Sequence, residues 1–446
     1  MNNAGKQIGG HMREVMFGSA VTFMARGGGT FLGFLFNLVL ARLLGAVGSG
    51  VFFLALSFVL FFEAFGRLGL EWSLVRYTAS AVAQQNWGTL KGIYIQSIRI
   101  CAVATGILTC ILLLSAGWIG RLFDKPEIVQ PLIVLTWAIM PIALARLMAA
   151  SLRGLKLTFK SQMIESILPV GCALLLIYPL ASVAGVNGVA IGYLAGWIVA
   201  LFVGWRLYRH ATSGFANTQP TFAIRTLLAS SYSLVWITIS GLLMNQFAIF
   251  VLGASGDPAE VGIFNVAMRT SLVLTFVLYA ANNILLPKFA ELISLGNAAD
   301  LEKMARNSVT IMSLLVLPIW FVIVLFSSQI MGWFGSDFRA GAMALQIMAH
   351  AQLVNVLSGP AGDLLIMGGH ERLTRFITSM ALLVNIVLCI LLIPHFGIAG
   401  AAVAVACSSI FQSLLCLYQV KQLFGFWMVP VSSRKSLFLM LRGKFV

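Results

Sequence analysis

The chain has 446 residues, of which 60% are hydrophobic and only 10% are Asp, Glu, Lys or Arg. A soluble globular domain carries about a quarter charged residues, so no water-facing surface can be assembled from this composition. The mean hydropathy of +0.96 points the same way, and the net charge of +15 must be read by position before it can imply a partner.

The first apolar run extends from Val15 to Leu44, behind Lys6 and Arg13. It is too long for the apolar region of a secretory signal, and no small-residue cleavage site follows, so it reads as a membrane span. Reading on for stretches able to cross about 30 Å of hydrocarbon gives twelve helical spans. In the first half they cover roughly 15–41, 47–70, 92–118, 128–152, 161–181 and 186–208. A polar link from Arg209 to Gln219 leads to six more, at roughly 223–252, 260–286, 305–328, 340–368, 374–394 and 398–422. The expected fold is an all-α polytopic membrane protein in two lobes. Residues 1–212 hold spans one to six, and 213–446 hold spans seven to twelve with a short basic cytoplasmic tail. The connecting loops reach at most about 25 residues, too few for a folded extramembrane domain.

The charges fix an expected orientation. If the N-terminus is cytoplasmic, 22 of the 29 Lys and Arg fall on the inner side, against only Arg42, Arg121, Lys125 and Arg339 outside. Arg26, Arg67 and Arg269 fall within spans. Such a bias over short loops obeys the positive-inside rule, so both termini are expected in the cytoplasm. The basic excess then faces anionic membrane lipid, and nucleic acid is excluded as a partner. The six cysteines all lie in apolar segments with no Cys-x-x-Cys pair, which fits small buried residues and not a disulfide or zinc framework.

The two halves resemble each other. Gly50-Val51-Phe52 recurs as Gly262-Ile263-Phe264, and Gly185-Val186-Asn187-Gly188 as Gly397-Ile398-Ala399-Gly400, both at an offset of 212. Leu44-Gly45 and Leu252-Gly253 are expected to end spans one and seven, with Asn37 and Asn245 eight residues before each glycine. Pro179 and Pro394 are expected to close spans five and eleven. Their common order indicates a duplicated six-helix unit. Six crossings bring a chain back to its starting side, so the copies are parallel and the lobes pair around a central cavity, as alternating access requires.

At these residues the sequence resembles the polysaccharide flippases of the MATE-like superfamily. The resemblance lies in Ala41-Arg42-Leu43-Leu44-Gly45, Gly50-Val51-Phe52, Gly69-Leu70 through Arg76-Tyr77, and Gly262-Ile263-Phe264-Asn265-Val266-Ala267. Its most specific stretches are Leu286-Pro287-Lys288-Phe289-Ala290 and Ile393-Pro394-His395-Phe396-Gly397-Ile398-Ala399-Gly400-Ala401-Ala402. It implies movement of a lipid-linked oligosaccharide between leaflets of the bacterial cytoplasmic (inner) membrane. Twelve spans, where lipid II flippases commonly have fourteen, suit the O-antigen or exopolysaccharide branch.

Ionised residues within spans are the candidate site. Each costs about 2.5–3.5 kcal/mol at the bilayer centre on insertion scales. Arg26 lies eleven residues into the first span, about 16 Å deep and close to the midplane, and Gly27, Gly28 and Gly29 follow it. Arg269 lies about nine residues into the eighth span. One guanidinium per lobe suits a diphosphate, whose oxygens pair with its planar donors; the alternative for each is a structural partner. The resemblance supports the first role, because arginines on the corresponding spans of lipid II flippases face a cationic cavity. Glu63 and Arg67, spaced i, i+4, read as a structural pair. Asp363, behind the breaker cluster Ser358-Gly359-Pro360-Ala361-Gly362, falls near Arg146 under the repeat, which suggests a cytoplasmic gate formed when the cavity opens outward. Asn37, Asn245, Asn282 and His350, with Gln246, Asn283, Gln346, Gln352 and Asn355, add polarity that suits either a wet cavity or interhelical hydrogen bonds. His350 is also a candidate for proton coupling.

The expected function is translocation of a polyprenyl-diphosphate-linked oligosaccharide for polysaccharide export. No cofactor is expected, although H+ or Na+ coupling stays open, and polymerase or chain-length proteins are conceivable partners. A MATE-type cation antiporter is the alternative; it calls for an acidic cavity, and carboxylates within the N-lobe spans are few. An enzyme is not expected, since the outer loops are short and no phosphate-binding glycine loop or nucleophile motif is present.

Overall fold

The computed structural model describes residues 3–215, 218–220 and 224–430, with side chains described outside 3–23, 215, 224–235 and positions 83, 280, 283, 284 and 287. Lys6, Arg13, Arg225, Asn283, Pro287 and the basic tail beyond residue 430 therefore lie outside the described side chains. The described residues are helical almost throughout, with no strand among them. Eight helices are long and apolar enough to cross a membrane, and the pair Pro126–Thr136 and Ile139–Gly154, bent by 42°, makes a ninth. Three of the eight reverse direction within their length and count twice, which gives twelve crossings among the described residues.

Each reversal rests on one glycine. Asn3–Arg67 turns at Gly45 (φ 66°), Leu168–Ala211 at Gly185 (φ 54°, ψ −128°) and Glu371–Phe424 at Gly397 (φ 50°, ψ −126°). A side chain is strained at such positive φ, so glycine alone turns here without cost. The flanking helices pack antiparallel. Phe36 and Phe52 meet at 6.3 Å between ring centroids, a Cβ on Gly188 would collide with the Leu180 carbonyl oxygen, and Asn385 donates to Ser408 Oγ at 3.0 Å. The near-identical dihedrals of Gly185 and Gly397, 212 residues apart, show the repeat in the backbone itself.

Three expected helix ends move. Pro179 and Pro394 lie inside their helices, which continue to the turning glycines; membrane helices tolerate proline where neighbours satisfy the freed carbonyl. The seventh span, Ile224–Ser255, passes Gly253 and stops before Asp257, the repeat partner of Gly45. Asp257 caps the next helix, Pro258–Ser271, by accepting from the Ala259 amide at 3.0 Å.

Twelve crossings bring both ends of the described chain to one face, here called the terminal face; the turns at Gly45, Gly185, Asp257 and Gly397 mark the far face. The lobes meet near the far face at a glycine pair. A Cβ on Gly50 would strike the Pro258 carbonyl, and one on Gly262 would strike the Ala46 carbonyl. These two contacts are equivalent under the 212-residue offset, so the pseudo-two-fold axis passes between the glycines. Beside them the buried Lys125 donates to the carbonyls of Gly253 at 2.6 Å and Gly256 at 2.5 Å, and Arg42 donates to the Trp333 carbonyl at 2.8 Å. All three bonds join one lobe to the other. The far face is closed.

Candidate functional site

Arg269 lies eleven residues from the capped start of Pro258–Ser271, about 16 Å along the helix and thus at mid-membrane. It is half-buried. Its Nε donates to Asn265 Oδ1 at 2.6 Å, one turn back, and its guanidinium lies 5.2 Å from the Phe53 ring centroid in the other lobe. The helix tightens into a 3-10 turn, Leu272–Thr275, just beyond it, a change of pitch that often marks a working segment. Arg269 opens on a cavity of 180 Å³ between the first and eighth spans, which Thr30, Asn37, Thr270 and Phe334 also line. Asn37 is buried there and donates to the Gly33 carbonyl at 2.7 Å, while its Oδ1 has no partner. The phenol of Tyr193 is near enough to interact electrostatically with both Arg269 and Arg146.

Arg26 sits lower than the sequence suggested. The helix extends back to Asn3, so depth is measured from Gly45, nineteen residues away or about 28 Å. That places Arg26 in the terminal half of the membrane and not at the midplane. Its guanidinium lies over the Tyr279 ring of the eighth span, 5.3 Å from the centroid. The two arginines thus share one seam between the lobes at two depths. Among the described residues neither has a carboxylate within salt-bridge distance.

The charges around Glu63 balance one another. Glu63, fully buried, forms an ion pair with Arg67 Nε at 2.7 Å and accepts from Arg146 Nη1 at 3.2 Å, and Arg67 also bonds Glu71. The expected Glu63–Arg67 pair is formed, and Arg146 of the fourth span joins it. Asp363 instead accepts from Asn282 Nδ2 at 2.7 Å. The structure does not bring Arg146 and Asp363 together; the suggested gate belongs to a state open at the far face, and here that face is shut. Removing one member of a buried ion network strands its partners and costs about 3–5 kcal/mol. Glu63→Ala is therefore expected to lower the thermal unfolding midpoint sharply in detergent, with Arg67 and Arg146 left uncompensated; an unchanged midpoint would show that water already solvates this cluster.

Three of the expected cavity polar groups lie apart from Arg269, Asn282 among them through its bond to Asp363. Asn245 is exposed and donates to the Gly241 carbonyl of its own helix at 3.2 Å. His350 is exposed, with Nδ1 2.7 Å from the Gln346 carbonyl and its ring against Trp320 at 5.2 Å. Three residues at the site went unnoticed in the sequence. Asn265 carries a usable signal, being i−4 to Arg269 on one helix face. Tyr279 and Tyr193 carry none, because each meets its arginine through tertiary packing alone.

Residues 39–339 match the family described as "Polysaccharide biosynthesis protein". The chain belongs to this family. A protein of Haloferax volcanii named "Probable low-salt glycan biosynthesis flippase Agl15" is 28% identical over 408 residues, covering 88% of this chain and 80% of the relative. Among solved structures, an inward-facing multidrug resistance MATE family transporter of the MOP superfamily superposes with a TM-score of 0.73 at 15% identity, over 91% of this chain and 98% of the other. The lipid II flippase MurJ in an inward closed conformation gives the same score and identity over 91% and 87%. These likenesses establish the fold as MATE-like. The chain is thus a multi-pass membrane protein of the polysaccharide biosynthesis family with a MATE-like fold.

Proposed function

We propose that this protein flips a polyprenyl-diphosphate-linked oligosaccharide across the cytoplasmic membrane by alternating access, with its terminal face in the cytoplasm. The observation that carries the reading is the pair of intramembrane guanidiniums without carboxylate partners, Arg269 at mid-membrane and Arg26 nearer the terminal face. An unpaired cation at the depth of Arg269 is costly, and a diphosphate offsets the cost through charge-assisted, bidentate hydrogen bonds. The unpartnered Asn37 Oδ1 beside Arg269 suits a hydroxyl donor. The positive-inside bias supports the orientation. An O-antigen or exopolysaccharide cargo in a bacterial inner membrane, and a polymerase or chain-length partner, rest on the sequence resemblance. The sign of the cavity argues against a cation antiporter, since a cationic drug would meet Arg269 with no carboxylate beside it.

The test is mass spectrometry of lipid-linked glycans in cells depleted of the protein. A polyprenyl-diphosphate oligosaccharide is expected to build up and to be cleared by wild type. An unchanged lipid pool would overturn the reading.

A further inference from the structure

The C-terminal lobe holds a second polar chamber, separate from the Arg269 cavity. Its volume is 280 Å³, and it lies between the seventh, eighth, tenth, eleventh and twelfth spans. Asp363, Asn282, Asn355, Thr378 and Gln412 line it together with the ring of Tyr279. The Asp363 carboxylate has Asn282 as its hydrogen-bond partner and no cation in salt-bridge range among the described residues. Asn282, having donated its Nδ2, leaves Oδ1 buried without a partner. Gln412 donates to Thr378 Oγ1 at 3.4 Å, and Ser413 to Asn355 Oδ1 at 3.5 Å, both long contacts.

We propose that this chamber is a sugar subsite that receives a monosaccharide of the lipid-linked glycan next to its phosphates. The inference rests on the flippase reading above and names the part of the cargo it leaves undefined. Three features decide for a sugar. The chamber mixes unused acceptors (Asp363, Asn282 Oδ1) with carboxamide donors, the pattern that a polyol with alternating hydroxyls satisfies. No Lys or Arg lines it, so the Asp363 carboxylate repels phosphate and leaves the diphosphate to the arginines. Its volume is close to that of small-ligand pockets, which begin at about 300 Å³, whereas a bound metal cation draws oxygens in to about 2.5 Å on all sides. Tyr279 joins the two regions. One face of its ring meets Arg26, and its phenol interacts electrostatically with both Arg26 and Asp363. A phosphate at Arg26 therefore places the next group of the same molecule at the mouth of the chamber.

The experiment compares two probes on the purified full chain in lipid nanodiscs. One is undecaprenyl diphosphate; the other is the same lipid bearing a single hexose or N-acetylhexosamine, tested as a panel of glucose, galactose and their N-acetylamino forms. Wild type is expected to bind at least one sugar-bearing lipid about tenfold tighter than the bare lipid, the effect of a few net hydrogen bonds. Asp363→Ala and, separately, Gln412→Ala are expected to lose that preference while binding the bare lipid as wild type does, which also shows that they fold. Equal binding of all probes by wild type, or a preference intact in both variants, would overturn the subsite. A thermal stabilisation by NaCl that Asp363→Ala abolishes, with sugar preference retained, would overturn it in favour of a cation site. Failure of wild type to bind even the bare diphosphate lipid would instead overturn the flippase reading.

Discussion

Gly50→Leu is expected to abolish transport while leaving the protein folded and inserted. Even a Cβ at this position strikes the Pro258 carbonyl of the other lobe, and main chain cannot be pushed aside as a flexible side chain can. Within each lobe the substitution disturbs little, because the clash arises only when the lobes close at the far face. The variant is thus trapped with that face open. A cysteine placed at Thr30, in the Arg269 cavity, reports the trap in a background freed of native cysteines. Membrane-impermeant maleimide added on the far face should label it in Gly50→Leu and not in the wild-type background. Equal labelling of both would show that the glycine contact is not the closure. Gly262→Leu should behave alike, since its clash with the Ala46 carbonyl is the symmetry-related one.

Arg269→Ala should cost at least a hundredfold in flipping rate, measured as clearance of the accumulated lipid-linked glycan or in reconstituted vesicles. Hydrogen bonds to charged groups contribute about 1.5–3 kcal/mol each, and a diphosphate would lose two of them. Stability should move the other way. With no carboxylate to strand, removing an unpaired half-buried cation relieves desolvation, so the unfolding midpoint is expected to stay level or rise. This is the reverse of Glu63→Ala. Arg269→Lys should recover only part of the rate, because a point charge lacks the planar fork. Loss of stability in parallel with loss of rate would instead mark Arg269 as a structural residue.

Much of the architecture was legible in the amino-acid sequence because bilayer thickness imposes a length scale on apolar runs. Span number, the even count and the repeat followed from it, and the structure places Gly185 and Gly397 at equivalent turns. The ends of spans five, seven and eleven were less legible. Proline and glycine break helices in water, yet Pro179, Pro394 and Gly253 are carried inside membrane helices whose neighbours satisfy the backbone. At the site, Glu63–Arg67 and Arg269–Asn265 are local i, i+4 relations and visible in one dimension. The stacking of Arg26 on Tyr279, the joining of Arg146 to Glu63 and the reach of Lys125 to Gly253 are not, because each partner lies more than 80 residues away. Lys125 reads in the sequence as one more loop charge; only tertiary structure shows it capping the last carbonyls of the seventh span.

The glycine pair near the far face has a mechanical consequence. It sets the fulcrum of the lobes at one end of the molecule, while the opposite mouth lies about 30 Å away, the thickness of the hydrocarbon core. A rotation of about 10° at such a hinge moves the distant helix ends by roughly 5 Å, a full helical pitch. The pivot itself sets backbone against backbone, Gly50 facing the Pro258 carbonyl and Gly262 the Ala46 carbonyl. A small angular opening then widens the distant mouth, while the interlobe hydrogen bonds of Lys125 and Arg42 and the Phe58–Phe250 ring contact lie close to the hinge.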